Sequence, residues 1–228
     1  MQHRSFSPVF LFLCVLFCTC LVLSNLLASK IFMLGSFALP AAVLVFPISY
    51  IVNDVVAEVW GFRRARLVIW LGFGMNFLVA AAGQAAAMLP PAPFWDGAAH
   101  FNYVFGLAPR IALASFAAFL AGSFLNAYVM SRMKLSSQGR HFWLRAILST
   151  LAGEGIDSLI FFPLAFWGIL SPGDLLPMML LQTSAKTLYE TAVLPVTSRV
   201  VAAVKAAEGA DVYDNGVSYS IWRLGDLG

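Results

Sequence analysis

Two carboxylates, Glu154 and Asp157, lie inside an apolar run that extends from residue 142 to residue 170 and is long enough to cross a bilayer. A carboxylate at the middle of a membrane span costs roughly 2.5 to 3.5 kcal/mol, so it persists there only when it faces a bundle interior or a wet cavity and has a partner. The two side chains are three residues apart and share one helix face with Thr150, Ser158 and Phe161. The pattern predicts one wall of an intramembrane pocket.

A second acidic stripe lies in an earlier apolar run, just before a group of arginines. Tyr50, Asp54 and Glu58 recur at a spacing of four residues and so share a helix face, with Asn53 beside them. Glu58 is close to the end of the run, where an interfacial position is open to it. The stripe predicts a second wall of the same pocket.

Lys186 is the one cationic side chain that the sequence places at depth in a span. Its run also carries Tyr189 and Glu190, at spacings that suit one helix face. An intrahelical pair of Lys186 with Glu190, four residues apart, would be purely structural. A lysine of the binding site is the other interpretation, and both remain open at this point.

The composition is that of an integral membrane protein. Of the 228 residues, 61% are apolar and only 11% are charged, whereas a soluble domain carries about 25% charge. No basic stripe with interleaved aromatic residues occurs, so nucleic acid is not expected as a partner. A phosphate-binding loop of the Gly-x4-Gly-Lys-Ser/Thr type is also absent from the sequence.

Six apolar runs predict an all-α bundle of six transmembrane helices in one domain, residues 1–205. Pro40 and Pro47 interrupt the second run, and residues 206–228 are expected to form a polar, solvated cytoplasmic tail. The six predicted spans are about 9–28, 37–60, 67–89, 111–130, 142–170 and 175–204.

The distribution of basic residues predicts the orientation. With six spans both termini lie on one side, and eleven of the fourteen lysines and arginines fall on that side. Lys30 and Arg110 fall on the opposite side, and Lys186 lies within the membrane. The positive-inside rule therefore places both termini in the cytoplasm.

The acidic groups outnumber the one buried ammonium, which points to a cargo with several N–H donors. Asp54, Asp157, Glu154 and Glu190 would accept those donors, while an aromatic side chain would stack on a flat ring. The candidates for stacking are Tyr50, Phe161 and Tyr189. An intramembrane hydrolase is a competing interpretation, because residues 153–157 resemble a Gly-x-Gly-Asp motif, although Ile156 stands where its aspartate belongs.

The three cysteines indicate neither a metal nor a redox function. Cys14, Cys18 and Cys20 all lie in the first apolar run, where a thiol behaves as a small hydrophobic group. Their spacing matches no common zinc site. We expect neither a metal ion nor a cofactor.

The sequence resembles the queuosine precursor transporter family, which is vitamin-uptake-transporter-like. The matching pieces cover most of the chain: residues 46–61 with the arginines that follow, 100–102, 110–115, 153–158 with Phe161 and Phe162, 186–190 with Pro195, and 208–214. Their combination is specific, although each is weak alone.

The resemblance implies uptake of 7-cyano-7-deazaguanine and its aminomethyl analogue across the bacterial inner membrane, for the synthesis of queuosine in tRNA. It also implies a six-helix fold similar to the substrate-binding subunit of energy-coupling-factor transporters. By matching position, Asp54, Asp157 and Lys186 are the site residues, with Asn53 or Lys186 suited to the O6 atom of the base. A homodimer, or a substrate-binding subunit that needs an energising partner, remains an alternative.

Overall fold

The structure, a computed structural model, describes residues 7–27, 29–34, 37–105, 109–167 and 172–223. Helices account for most of these residues, as predicted, and two short strands form the one hairpin among them. In chain order the elements are α1 Pro8–Leu27, β1 Ile31–Leu34, β2 Phe37–Pro40, a 3-10 turn Ala41–Leu44, α2 Phe46–Ala87, α3 Ala98–Phe105, α4 Pro109–Ser136, α5 Phe142–Phe166 and α6 Pro172–Glu208.

Four of the helices in the described part of the chain are long and apolar enough to cross a membrane: Pro8–Leu27, Pro47–Ala87, Leu113–Ser136 and Phe142–Ala165. Helix α1 carries no charge, and the hydroxyl of Ser7 caps it by accepting a hydrogen bond of 3.1 Å from the Phe10 amide. Large apolar side chains such as Leu11, Phe12 and Phe77 are exposed on the outside of the bundle. These side chains suit contact with lipid tails.

Helix α2 contains two predicted spans in one element of 42 residues. At 1.5 Å per residue its length is about twice the roughly 30 Å of a bilayer core. Gly61, with φ 79° and ψ 177°, interrupts it. The predicted arginine-bearing connection between the second and third spans is therefore a single non-helical residue, and Arg63, Arg64 and Arg66 already lie in the second segment of α2.

The predicted second span, 37–60, is wrong at its beginning. Residues 37–40 pair with 31–34 as an antiparallel hairpin, and α2 begins only at Phe46. Pro40 ends β2, and Pro47 occupies the first turn of α2, where a proline loses no intrahelical hydrogen bond. The two prolines thus bracket the helix start and do not kink its interior.

The other helices differ less from prediction. α4 continues to Ser136, six residues into the connection expected after residue 130, and α6 runs from residue 172 to residue 208. α5 ends at Phe166, where the Trp167 amide donates back to the Pro163 carbonyl. Residues 168–170 of the predicted fifth span lie outside the described residues.

Contacts between helices fix their relative directions. α1 runs beside the second segment of α2 in the same direction: Phe10 packs on Trp60, and Asn25 donates to Asn76 at 2.9 Å. α4 and α5 are antiparallel, since Gly122 meets Gly153 while Met130 meets Arg145. Helices α5 and α6 are also antiparallel, since Lys186 meets Asp157 while Glu190 meets Thr150. The Asn25–Asn76 bond is a polar contact between two apolar helices.

The C-terminal segment 209–223 packs against the ends of the helices, which differs from the solvated tail that we expected. The Asp214 carboxylate accepts hydrogen bonds from the Phe62 amide, at 2.9 Å, and from the Ser131 hydroxyl. The indole of Trp70 donates to the Ile221 carbonyl at 2.9 Å. Asp214 thereby caps the second segment of α2, whose first amides follow directly after Gly61.

Candidate functional site: a carboxylate and lysine cluster between α2, α5 and α6

Three helices bring the predicted polar side chains together inside the bundle. The first segment of α2 contributes Asp54 and Tyr50, α5 contributes Glu154, and α6 contributes Glu190; all four are at most 5% exposed. Their spacings of three and four residues place each set on one helix face. The three faces meet in the bundle interior, where α5 runs antiparallel to α6 and to the first segment of α2.

One half of the cluster is an ion-pair group. The ammonium of Lys186 on α6 lies 2.6 Å from the Glu154 carboxylate and 3.6 Å from that of Asp157, both on α5. Tyr50 on α2 faces the same two carboxylates. The Lys186 and Asp157 side chains are 20% and 13% exposed, while Glu154 is buried. In the ion-pair group, Lys186 and Asp157 are therefore accessible, whereas Glu154 is closed off.

The other half is a carboxylate group without a cation. Asp54 is fully buried, and no residue in the described part of the chain lies in hydrogen-bonding geometry to either of its oxygens. Glu190 of α6 and Asn126 of α4 are among its neighbours. Glu190 accepts a hydrogen bond from the Thr150 hydroxyl of α5.

The structure brings together most of the predicted site residues, but not all. Asn53 points to α4, donating to Asn126 at 3.1 Å. Phe161 is half-buried beyond Asp157 on the same helix, edge to face with Phe162 at 5.5 Å between ring centroids. Tyr189 is 39% exposed, and no described contact joins it to the cluster. Lys186 pairs with α5, so the purely intrahelical pair with Glu190 is not the arrangement observed.

Two features of the site were only partly predicted. Asn126 is a site residue that the sequence did not single out; it is fully buried between Asn53 and the carboxylate group. A Cβ added at Gly153 would lie 2.9 Å from the Gly122 carbonyl, so the backbones of α4 and α5 touch beside Glu154. The small residues in both helices were the available signal.

Glu58 belongs to a separate cluster at one end of the bundle, which we call the charged cluster: Glu58, Lys134, Arg145, Lys205 and Asp211. The Glu58 carboxylate accepts hydrogen bonds from both terminal nitrogens of the Arg145 guanidinium. It also pairs with the Lys205 ammonium at 2.6 Å. Burial alone would raise the pKa of Asp211, but hydrogen bonds from Lys134 and Lys205 lower it from its ordinary 3.8. The charged cluster is electrostatically satisfied and joins α2, α4, α5 and α6 to the C-terminal segment.

Two cavities lie away from the carboxylate and lysine cluster between α2, α5 and α6. One of about 280 Å³ lies between α1, α2, α3 and α4, with Asn25, Asn76 and Gln84 among mostly apolar lining residues. Another of about 330 Å³ lies under the C-terminal segment and is lined by Arg63, Arg64 and Asp214, among others. The cavities and the buried charged side chains therefore lie at different positions in the bundle. We assign the site by chemistry, because buried charges in a membrane bundle mark function and apolar grooves accommodate lipid.

The site offers hydrogen bonding and charge. Among the described residues no group of three or more histidine, cysteine or acidic side chains could hold a metal ion. The cluster can accept N–H donors at its carboxylates and can donate from Lys186.

Comparison with known proteins gives a consistent family. A family model described as "Putative vitamin uptake transporter" matches residues 40–200, more than two thirds of the chain. The chain is 29% identical over 168 residues to the "Probable queuosine precursor transporter" of Bacillus subtilis (strain 168), covering 73% of the chain and 72% of that protein. It is 31% identical over 122 residues to the "Queuosine precursor transporter" of Escherichia coli (strain K12), covering 54% of the chain and 52% of that protein. No solved structure matches the chain at a significant level.

Proposed function

The chain belongs to the putative vitamin uptake transporter family, and from that premise we propose that it imports 7-deazaguanine precursors of queuosine. It is a multi-pass protein of the bacterial inner membrane and a transporter, not an enzyme. The names of the relatives support the choice of cargo. The observation that carries the proposal is the junction of Lys186 with Glu154 and Asp157 across the α5–α6 boundary.

The hydrogen-bonding edge of a deazaguanine ring complements the ion-pair group. Its N1–H and exocyclic amino group are donors side by side, which one carboxylate accepts with both oxygens, and its O6 atom accepts from an ammonium. Asp157 and Lys186 are at the accessible edge, so we assign the donor edge to Asp157 and the O6 atom to Lys186. Hydrogen bonds to charged groups contribute about 1.5–3 kcal/mol each.

Aromatic side chains near the ion-pair group supply stacking surfaces for a flat ring. Tyr50 faces Glu154 and Asp157 from α2, and Phe161 lies one turn beyond Asp157 on α5. Offset or edge-to-face aromatic contacts add about 0.5–1.5 kcal/mol. We assign stacking to these two rings, because the exposed Tyr189 is not brought to the cluster.

Six membrane crossings account for the helix contacts best. Gly61 divides α2 into two crossings, and α6 supplies another. Together with α1, α4 and α5 they make six. α1, the second segment of α2, and α5 then run one way, and the remaining crossings run the other. That pattern places the charged cluster at the same end as Gly61 and the C-terminal segment.

The cytoplasmic end is the one that carries the charged cluster. Arg63, Arg64, Arg66, Lys134 and Arg145 all gather there, as the positive-inside rule requires. Lys30 and the short helix α3 lie at the other end. Cargo would then approach Lys186 from outside, since Asp157 and Phe161 lie toward that end of α5.

Uptake of labelled cargo tests the proposal. Cells without their own import system, expressing this chain, should accumulate labelled 7-cyano-7-deazaguanine, and excess unlabelled 7-aminomethyl-7-deazaguanine should compete. Adenine, whose edge presents a different donor and acceptor order, should not compete. Cells that carry the protein in their membranes but take up no more label than empty cells would refute the proposal.

A further inference from the structure

We propose that the cargo enters together with one proton, which Asp54 and Glu190 hold between them. This inference rests on the proposed function and adds the energy source to it. The proton binds as a carboxylic acid hydrogen on one of the two side chains while the site faces outward, and it leaves to the cytoplasm when the cargo leaves. No covalent change in the cargo is involved.

The burial of Asp54 and its acidic neighbour favour a proton on one of the two side chains. Its side chain is fully buried, and neither oxygen accepts a hydrogen bond from any described residue. Its neighbour Glu190 is 5% exposed. An ionised carboxylate is an acceptor only, so two neighbouring carboxylates can bond to each other only when one of them carries a hydrogen.

The surrounding charges do not replace that proton. On α5, Glu154 and Asp157 engage Lys186, so the one ammonium of the cluster is shared by two other carboxylates. α6 presents Glu190, another acid. On α2, the helix that carries Asp54 itself, the neighbouring polar side chains are the Tyr50 phenol and the acidic Glu58, neither of which is a cation. Four carboxylates therefore face one ammonium in the described part of the cluster.

A buried amide on α4 is a neighbour of Asp54, and it carries no charge. Among the described residues, α4 presents no charged side chain to Asp54; it presents Asn126, which is fully buried and whose amide nitrogen has no partner there in hydrogen-bonding geometry. Asn126 and Asp54 are neighbours with unsatisfied polar atoms, so a small movement would let the amide donate to the Asp54 carboxylate once the proton has left. The cost of such groups is expected at a functional position.

The charged cluster gives the transfer a direction. Glu58 is one turn from Asp54 on α2, toward the cytoplasmic end, and it is paired with Arg145 and Lys205, with Lys134 at 3.9 Å. Three cations between the acid pair and the cytoplasm oppose the passage of a proton while these pairs are intact. The proton therefore loads from the cargo side, and it leaves when Lys205 on α6 separates from Glu58 on α2.

Purified protein in sealed liposomes tests the inference. The probe is labelled 7-cyano-7-deazaguanine, which is uncharged, with a pH-sensitive dye inside and the membrane potential clamped at zero. For one proton per neutral molecule, a pH gradient that is acidic outside the liposomes should drive accumulation of the labelled cargo inside. The expected accumulation is about tenfold for each pH unit. A protonophore should abolish the accumulation, and cargo entry should acidify the interior by one proton per molecule.

Exchange against preloaded unlabelled cargo separates the two proposals, because exchange needs no energy source. Exchange without accumulation or acidification overturns the proton inference and leaves the proposed function standing. No exchange and no uptake overturns the proposed function, and the proton inference with it.

Variants locate the proton by the ratio of protons to cargo, which does not depend on how fast the variant transports. Asp54→Asn should lower that ratio at least tenfold, and Glu190→Gln provides a second reading should Asp54→Asn fail to fold. Asp96→Asn, the same change at an exposed loop position, should leave the ratio at one. An unchanged ratio in a transporting Asp54→Asn or Glu190→Gln protein would overturn the assignment.

Discussion

The Lys186 ammonium on α6 lies 2.6 Å from the buried carboxylate of Glu154 on α5, and this pair joins two helices whose polar faces would otherwise meet acid to acid. Asp157, at 3.6 Å, shares the same ammonium at the accessible edge. A cargo that donates to Asp157 and accepts from Lys186 can enter this arrangement without leaving the buried Glu154 unpaired. The ion pair is thus both the structural connection and the recognition element.

Asp157→Asn should reduce cargo uptake at least tenfold while the amount of protein in the membrane stays normal. The amide offers one acceptor and adds a donor, so it cannot receive two parallel N–H groups as a carboxylate does. Uptake per molecule of membrane protein is the measurement, with the exposed Asp96→Asn as the matched control. Normal uptake by the Asp157 variant would remove that side chain from the site.

Glu154 and Lys186 should show strong energetic coupling. Lys186→Gln leaves two carboxylates without their cation, and Glu154→Gln removes one of the partners of a partly buried ammonium, so each single change should lower thermal stability in detergent. The double variant should be more stable than the sum of the single losses predicts, by about 0.5–3 kcal/mol. Additive losses would mean that the 2.6 Å pair carries no coupling.

Gly153→Ala should destabilise the protein by about 1–3 kcal/mol, because overpacking at a close contact forces the helices apart. Its new Cβ would lie 2.9 Å from both the Gly122 carbonyl oxygen and the Asn126 Cβ. Gly155→Ala on the same helix is the control: nothing lies within 4 Å of its Cβ position, and alanine favours the helix by up to about 1 kcal/mol. Equal melting temperatures for the two variants would contradict the close packing of α4 on α5.

Asp214→Ala should lower stability by about 2 kcal/mol, since it removes the cap on the Phe62 amide and the partner of the Ser131 hydroxyl. Thermal unfolding in detergent measures the loss. The neighbouring Asn215→Ala changes an exposed side chain and should have little effect. Protease cleavage of the C-terminal segment should become faster in the Asp214 variant alone.

Attachment of the C-terminal segment should weaken in acid. Hydrogen bonds from Lys134 and Lys205 lower the pKa of Asp211 when the segment is attached, so the detached state binds more protons at low pH. The contribution is complete above the ordinary pKa of 3.8 and is lost as the pH falls through the lowered value. Hydrogen exchange at the Val212 amide, which donates to the Val59 carbonyl at 3.0 Å, reports the attachment. Asp211→Asn should remove this part of the pH dependence.

Sequence patterns predicted which polar side chains meet inside the bundle better than they predicted the helix boundaries. Carboxylates in an apolar run have few tolerable positions. The spacing of Glu154, Asp157, Lys186 and Glu190 was therefore enough to predict that α5 and α6 pack against each other. The start of α2 was missed, because an apolar stretch such as 37–45 fits a strand or a buried helix equally well and two prolines admit either. Only pairing with residues 31–34 decides between them.

Long-range contacts of polar residues were the other gap. Asp214 lies 152 positions after the Phe62 amide that it caps, and no local pattern connects them. The partition of the acids into an ion-pair group and a carboxylate group likewise depends on the side on which Lys186 pairs, and helical periodicity alone permitted Glu190 as well as Glu154. Tertiary contacts override local spacing in both cases.

Queuosine in tRNA is the most direct readout of the central claim. A bacterial strain that lacks both synthesis of the precursor and its uptake should regain queuosine when it receives this gene and external 7-cyano-7-deazaguanine, and the Asp157→Asn gene should fail to restore it. Absence of queuosine with the protein present in the membrane, at any supplied concentration of either precursor, would contradict the account.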